Sequence, residues 1–237
     1  MIKFFRHIRQ NMIKNNRRSQ YMLYAFGEII LVVMGILIAL QINNWNEFKK
    51  NRAFEEEILT QVQVNLIKDK LTLESISSNF EKAITSSNKV LKEKWNNQDM
   101  DSLKFWLGDI IQFDRFQPLT NAYDVLKSKG LDQISNKQLR FLMGEYYDDK
   151  VSHTIKSIGD VETTFNRDWL PILKEHGEDF KFKTFVIFKD VSIFKESHQA
   201  KYLLKMNIDN FNGGNNRIQQ TILIIDKIQN LITKELN

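Results

Sequence analysis

The chain has 237 residues, 42% of them hydrophobic and 27% charged, with no cysteine, two prolines and nine glycines. That length suffices for a membrane anchor plus one ordinary domain, and the missing thiols exclude disulfides, thiolate metal sites and cysteine nucleophiles. The net charge of +5 is local: six basic residues precede Glu28, the first acid, and the other 28 of the 34 basic side chains face 29 acidic ones, so the footprint that a nucleic-acid partner requires is confined to a short tail.

Residues 1–20 are basic, with Lys3, Arg6, Arg9, Lys14, Arg17 and Arg18. Ile2, Phe5, Ile8 and Met12 share one side of a short helix, which suits the anionic inner leaflet of a membrane. A disordered positive tail that only sets topology fits the same composition.

Residues 21–42 predict a transmembrane signal-anchor helix. From Met22 to Ile42 there are twelve Leu, Ile, Phe or Val residues and one charge, Glu28. Twelve such side chains contribute roughly −4 to −7 kcal/mol to insertion against about +3 for a central acid, and twenty-one residues cover the roughly 30 Å hydrocarbon core. Six basic residues before the span, against Lys49, Lys50 and Arg52 after it with Glu47 and Glu55 to Glu57 close by, put the N-terminus in the cytoplasm. A cleavable signal peptide is the rival, but no A-x-A-like site follows Leu40. Tyr21, Tyr24 and Trp45 fall where aromatic belts are expected. Glu28 has three readings: a boundary carboxylate paired with Arg17, Arg18 or headgroups, a contact to a partner inside the bilayer, or a proton-relay group. Gly27, Gly35 and Ala39 lie close to one helix face, and Gly35-x-x-x-Ala39 is a spacing at which a second helix can approach.

Residues 43–237 predict an extracytoplasmic helical bundle. Leu59, Val62, Leu66, Asp69, Leu73, Ile76, Phe80, Ala83, Ser87 and Val90 alternate steps of three and four, a sustained stripe of the coiled-coil kind. It sets a first long helix from about Trp45 to Trp95, continuous with the membrane helix if "NNWNEFKKN", free of Pro and Gly, bridges them. "NNQDMDS" reads as a turn. Leu103, Trp106, Leu107, Ile110 and Ile111 then mark a short amphipathic helix. Another helix runs from Thr120 to Lys129 after Pro118, with Gly130 in a left-handed C-terminal position. Ser135-x-x-Gln138 predicts a capping box for the next, which extends towards Pro171. "FKFKTFVIFKDVSIF", residues 180–194, breaks the helical period and predicts an irregular segment or short hairpin. Its Phe180, Phe182, Phe185, Phe188 and Phe194 read as core packing under a loop or as a partner patch. The last helix is expected to break or bend at "NGGNN", residues 212–216, and to pair with the first long one. The fold class is therefore mostly all-α, an N-terminal transmembrane helix followed by an antiparallel long-helix bundle.

"FFRHIRQN" followed by "YAFGEIILVVMGILIALQINNWNE", with "FQPLTNAYDVLKSKGLDQISNKQLR" downstream, resembles a domain-of-unknown-function family of single-pass membrane-anchored proteins of Bacteroidetes, especially flavobacteria. The resemblance implies a location and an architecture, and no catalytic residues carry over with it.

Constellations for chemistry are absent from the sequence. His153, His176 and His198 stand more than twenty residues apart, without zinc spacing. "FNGGNN" lacks the strand and the Lys-Ser/Thr of a phosphate loop, and no G-x-S-x-G elbow occurs. Asp148 with Asp149, and Glu55 to Glu57, read as solvated charges. No metal or cofactor is expected. The sequence points to a non-enzymatic interaction or scaffold protein of the inner membrane, its bulk periplasmic. The expected partners are the lipid bilayer and either further copies of itself or another envelope protein. A periplasmic ligand-sensing bundle signalling through a membrane partner is the alternative, ahead of an enzyme and of a proton-coupled stator relying on Glu28.

Overall fold

The computed structural model describes residues 18–92 and 100–236. The expected interfacial helix of the first twenty residues and the turn after Trp95 fall largely outside that range. The chain divides into two compact units, Met1–Phe54 and Glu55–Asn237.

The described part of the first unit, residues 18–54, is helical throughout. It belongs to helix α1, Arg18–Leu91, which runs unbroken through "NNWNEFKKN" because nothing there removes a backbone donor or relaxes the chain.

In the second unit the periodic stripe of α1 is its buried face: Leu59, Val62, Leu66, Leu73, Phe80, Ala83, Ser87 and Val90 are fully buried, Asp69 and Ile76 nearly so. Among the described residues seven α-helices follow, with a two-stranded sheet inserted among them. They are α2 (Met100–Ile110), α3 (Asn121–Lys129), α4 (Lys137–Gly144), α5 (Val151–Thr164), α6 (Leu170–His176), β1 (Gly177–Lys181), β2 (Phe185–Phe188), α7 (Ile193–Glu196) and α8 (His198–Leu236).

Helix α8 packs antiparallel along α1. Phe80 and Phe211 meet at 5.0 Å between ring centroids, Ser77 Oγ donates to Asn215 Oδ1, Lys70 pairs with Asp226 at 2.6 Å and Gln63 reaches Thr233. Rising numbers on one helix meet falling numbers on the other, so the first-to-last pairing expected from the sequence is present. The break expected at residues 212–216 is not, since α8 continues through Gly213 and Gly214. A Cβ on Gly214 would lie 2.6 Å from Phe80 Cε2, so this glycine serves close helix packing rather than chain reversal. Helix α5 adds a second contact, where Thr154 Oγ1 and Thr221 Oγ1 sit 2.8 Å apart.

From Lys137 to His176 the chain is one helical run with two π segments, Glu145–Lys150 and Phe165–Trp169. In each, the closing amide reaches back five residues, Val151 to Tyr146 and Leu170 to Phe165. The second precedes Pro171, whose missing N–H disrupts the ordinary ladder. A π turn inserts one residue and rotates the following face, and the first of them lets the adjacent Tyr146 and Tyr147 both be buried.

Two cap expectations change. Asn136, not Ser135, caps α4, its side chain accepting from Leu139 N, while Ser135 is drawn away to Glu55. Gly130 has the expected positive φ of 109°, but its ψ of 130° is extended rather than left-handed helical. The Phe-rich segment is a hairpin with Lys181 opposite Phe185 and an irregularity between Gly177 and Asp179.

Candidate functional site

Four places among the described residues could serve function, one in the first unit and three in the second. In the first unit, all fourteen Leu, Ile, Val, Phe and Met side chains between Met22 and Ile42 are exposed, from 39% at Ile30 to 73% at Leu31. The helix is long and apolar enough to cross a membrane. Glu28 is half-buried and Ala39 exposed, and a Cβ on Gly27 or Gly35 would meet nothing within 4 Å.

The hairpin divides the five phenylalanines. Phe188 and Phe194 are buried, with rings 5.1 Å apart at nearly a right angle, and Phe185 is half-buried. Phe180 and Phe182 are the exposed pair, and Phe182 leans on Phe113 at 5.1 Å and Phe165 at 6.0 Å. The turn is pinned at its tip. Lys183, in the left-handed region at φ 59°, donates to Asp114, which also receives Asn79. A Cβ on Gly108 would lie 2.6 Å from Thr184 O, so α2 gives the hairpin a surface without side chain to rest on. The aromatic pair is thus displayed from a fixed platform.

The most concentrated polar chemistry surrounds Asp69, 2% exposed. Its Oδ2 accepts from Tyr146 Oη at 2.7 Å, and the Leu119 amide donates to both carboxylate oxygens at 3.1 and 3.3 Å. Beside it Tyr123 and Tyr147 stack at 4.3 Å, and Tyr123 Oη donates to Asp148 Oδ2, while Lys127 donates to Oδ1 of the same carboxylate. Burial pushes the Asp69 pKa up, against the pull of its two donors, while Lys127 holds Asp148 below the usual carboxylate range. Burial and the neighbouring carboxylates push all three phenols above their ordinary range, so each remains a hydrogen-bond donor at neutral pH. Tyr146 and Leu119 occupy the Asp69 carboxylate, which fastens the segment before α3 and the first π turn to α1. Raised acids often mark functional sites, but buried structural networks raise them too.

Two more carboxylates repeat the pattern. Glu55, 3% exposed, accepts from the amide and hydroxyl of Ser135 at 2.7 and 2.8 Å, a correction to its reading as a solvated charge. Asp114 holds the hairpin tip. The sequence signal for Asp69 was an acid at an apolar stripe position; Glu55 and Asp114 carried none, because their partners are far away in the chain.

A groove of about 400 Å³ runs between α6 and the start of α8, with Ile172, Leu203 and Met206 among its apolar lining and Arg167, His176 and Tyr202 among its polar lining. His153 and His198 are exposed and His176 is half-buried, and among the described residues no group of three or more His, Asp or Glu could hold a metal.

The family described as "Family of unknown function (DUF6090)" matches residues 28–157, more than half of the chain. The chain belongs to this family. Comparisons with curated proteins and with solved structures found no match. The DUF6090 span begins at Glu28 and ends inside α5, so it takes in Glu55, Asp69, Asp114 and Tyr146, whereas the hairpin and the groove-lining residues lie beyond it.

Proposed function

We propose that this DUF6090 protein is a non-enzymatic interaction or scaffold protein of the cell envelope. It is held in the inner membrane by Met22–Ile42, with its N-terminus cytoplasmic and its second unit periplasmic. The observation that carries the reading is the unbroken exposure of fourteen large apolar side chains over one membrane thickness of helix. An apolar surface of that extent is unfavourable in water, and a bilayer removes the cost for every side chain at once. The six basic residues ahead of Glu28 favour the orientation. The resemblance to membrane-anchored Bacteroidetes proteins supplies the two-membrane envelope.

The second unit presents the other half of the function. Phe180 and Phe182 stand exposed on a hairpin fixed by Asp114 and Gly108, a rigid aromatic display of the kind that anchors protein interfaces. The partner is another copy or a second envelope protein. Crosslinking in native membranes, gentle detergent purification and mass spectrometry test this. A stoichiometric companion, lost in Phe180→Ser/Phe182→Ser, supports it; recovery of uncrosslinked single chains only would sink it.

The groove between α6 and α8 favours a second reading, a ligand-sensing bundle, since its volume matches small-molecule sites. A small molecule that raises the melting temperature of the full chain, with the rise lost in Leu203→Trp, supports that reading. A broad screen without any shift removes it.

A further inference from the structure

Strand β1 forms the outer edge of the hairpin, with Glu178, Asp179, Phe180 and Lys181 all exposed. In the turn, Lys181 O accepts from Thr184 N, and Lys181 is the Cα partner of Phe185, so its backbone faces β2. That direction alternates along a strand, which turns the N–H and C=O of Phe180 outward. The outward N–H is held by its own neighbour, Asp179 Oδ1, at 2.8 Å. Short, charged edges usually resist pairing, but the order of charges here is selective. Glu178 and Asp179 precede Phe180, while Lys181 and Lys183 follow it. Antiparallel pairing of two such strands about Phe180 sets the acidic arm of one against the basic arm of the other, whereas parallel pairing in register sets like against like.

We propose that β1 pairs edge to edge with β1 of a second copy of this chain, antiparallel and two-fold symmetric about Phe180. The two hairpins then form one four-stranded sheet in the order β2-β1-β1-β2. Phe180 N–H leaves Asp179 and donates to Phe180 O of the other copy, and symmetry supplies the reverse bond, so each edge amide exchanges one acceptor for another. The released Asp179 lies opposite Lys181 of the other copy, and the axis makes that pair twice. Lys183 stays on Asp114, which holds the turn while the strand joins. The two Glu178 carboxylates fall at opposite ends of the pairing, about 14 Å apart, beyond the screening length at physiological salt. The Phe180 and Phe182 rings, 6.3 Å apart within one copy, gain the Phe180 ring of the other across a pair whose Cα atoms are about 5.5 Å apart. The inference rests on the reading of the hairpin as the partner surface and names that partner as this chain.

The chain has no cysteine, and a residue on a two-fold axis faces its own copy. Phe180→Cys in the full chain, oxidised with copper phenanthroline in native membranes, should therefore give a disulfide-linked dimer, since a Cα spacing of about 5.5 Å suits that bond. Adding Asp179→Lys sets Lys against Lys at both ends of the axis and should lower the dimer yield about tenfold. Adding Lys181→Asp as well reverses both pairs and should restore the yield. All three positions are exposed, so the core is untouched by these changes. No dimer, a yield that ignores the reversal, or a loss that the double reversal does not recover overturns the pairing. If the unsubstituted chain then still carries a stoichiometric companion of different sequence, the pairing alone falls; if it carries none, the hairpin reading falls with it.

Discussion

Asp69 offers the sharpest test of how the second unit is held together. In Asp69→Ala the Tyr146 hydroxyl, fully buried, and the Leu119 amide both lose their acceptor. A buried donor left unsatisfied costs about 1–3 kcal/mol, so the substitution should remove ~2–5 kcal/mol, a large share of the stability of an ordinary domain. Asp69→Asn keeps one acceptor oxygen for one donor and turns an N–H group towards the other, so its cost should be about half as large. The two variants also differ in pH dependence. Burial raises the folded-state pKa of Asp69, so between the ordinary value of 3.8 and the raised one the native state binds more protons than the unfolded chain. The Asp69 contribution is therefore greatest below pH 3.8 and declines as pH rises through the folded pKa. Asn at 69 has no such decline. Urea unfolding of the full chain in mild detergent, followed by tryptophan fluorescence with Trp169 at 1% exposure as the core reporter, measures both effects. Stability of Asp69→Ala within about 0.5 kcal/mol of the parent, the usual range for an inconsequential surface change, would refute the account of this network.

Gly214→Ala should destabilise by ~1–3 kcal/mol, since its Cβ would press on Phe80 at 2.6 Å; Gly213→Ala, with open space at its Cβ, should stabilise by up to ~1 kcal/mol, and paired thermal melts read both. Asn136→Ala should cost about 1 kcal/mol through loss of the α4 cap, a larger loss than Gln138→Ala, and the same melts separate the real cap from the box that the sequence suggests. Phe194→Ala should cost ~3–5 kcal/mol while Phe182→Ser changes stability far less, because the first ring is fully buried and the second is exposed; denaturant titration ranks them. On the acid side, Asp148 and Glu162 have pKa values lowered by Lys127 and Arg115 respectively. Their contributions are present above the unfolded values of 3.8 and 4.5 and fade as pH falls through the lower folded ones, so Lys127→Gln should flatten the acid limb of a stability profile.

The parts of this fold that depend on helical periodicity were legible in the chain. The stripe from Leu59 to Val90 specified the buried face of α1 residue by residue, because a helix repeats its contacts every three or four positions whatever packs against it. Leu103 to Ile110 did the same for α2, and the Phe, Val and Ile content of residues 180–194 left an irregular segment or a short hairpin open, of which the hairpin forms over Gly177–Phe188. Features set by distant partners were hidden. Ser135 has the spacing of a capping box, yet Glu55, eighty residues earlier, captures its amide and hydroxyl and hands the cap to Asn136. Gly213 and Gly214 signal a helix break when propensity alone is considered, but α8 is stabilised along both sides by α1 and α5, and at Gly214 the missing side chain makes room for Phe80. The π turns have no sequence periodicity of their own; adjacent Tyr146 and Tyr147, both buried, are their visible consequence. Of the candidate surfaces, the apolar span was fully legible, whereas which phenylalanines of the hairpin face outward became readable only with the register of Lys181 against Phe185.

Membrane anchoring with the second unit outside the cytoplasm is the claim on which the rest depends, and the absence of native cysteine makes it directly measurable. Ser75, exposed on α1 in the second unit, can be replaced by cysteine without touching the core. A membrane-impermeant maleimide applied to intact cells with a permeabilised outer membrane should label Ser75→Cys as fully as it does after lysis, with the chain resisting carbonate extraction. Labelling that appears only after the inner membrane is opened, or release of the chain by carbonate, would contradict the account.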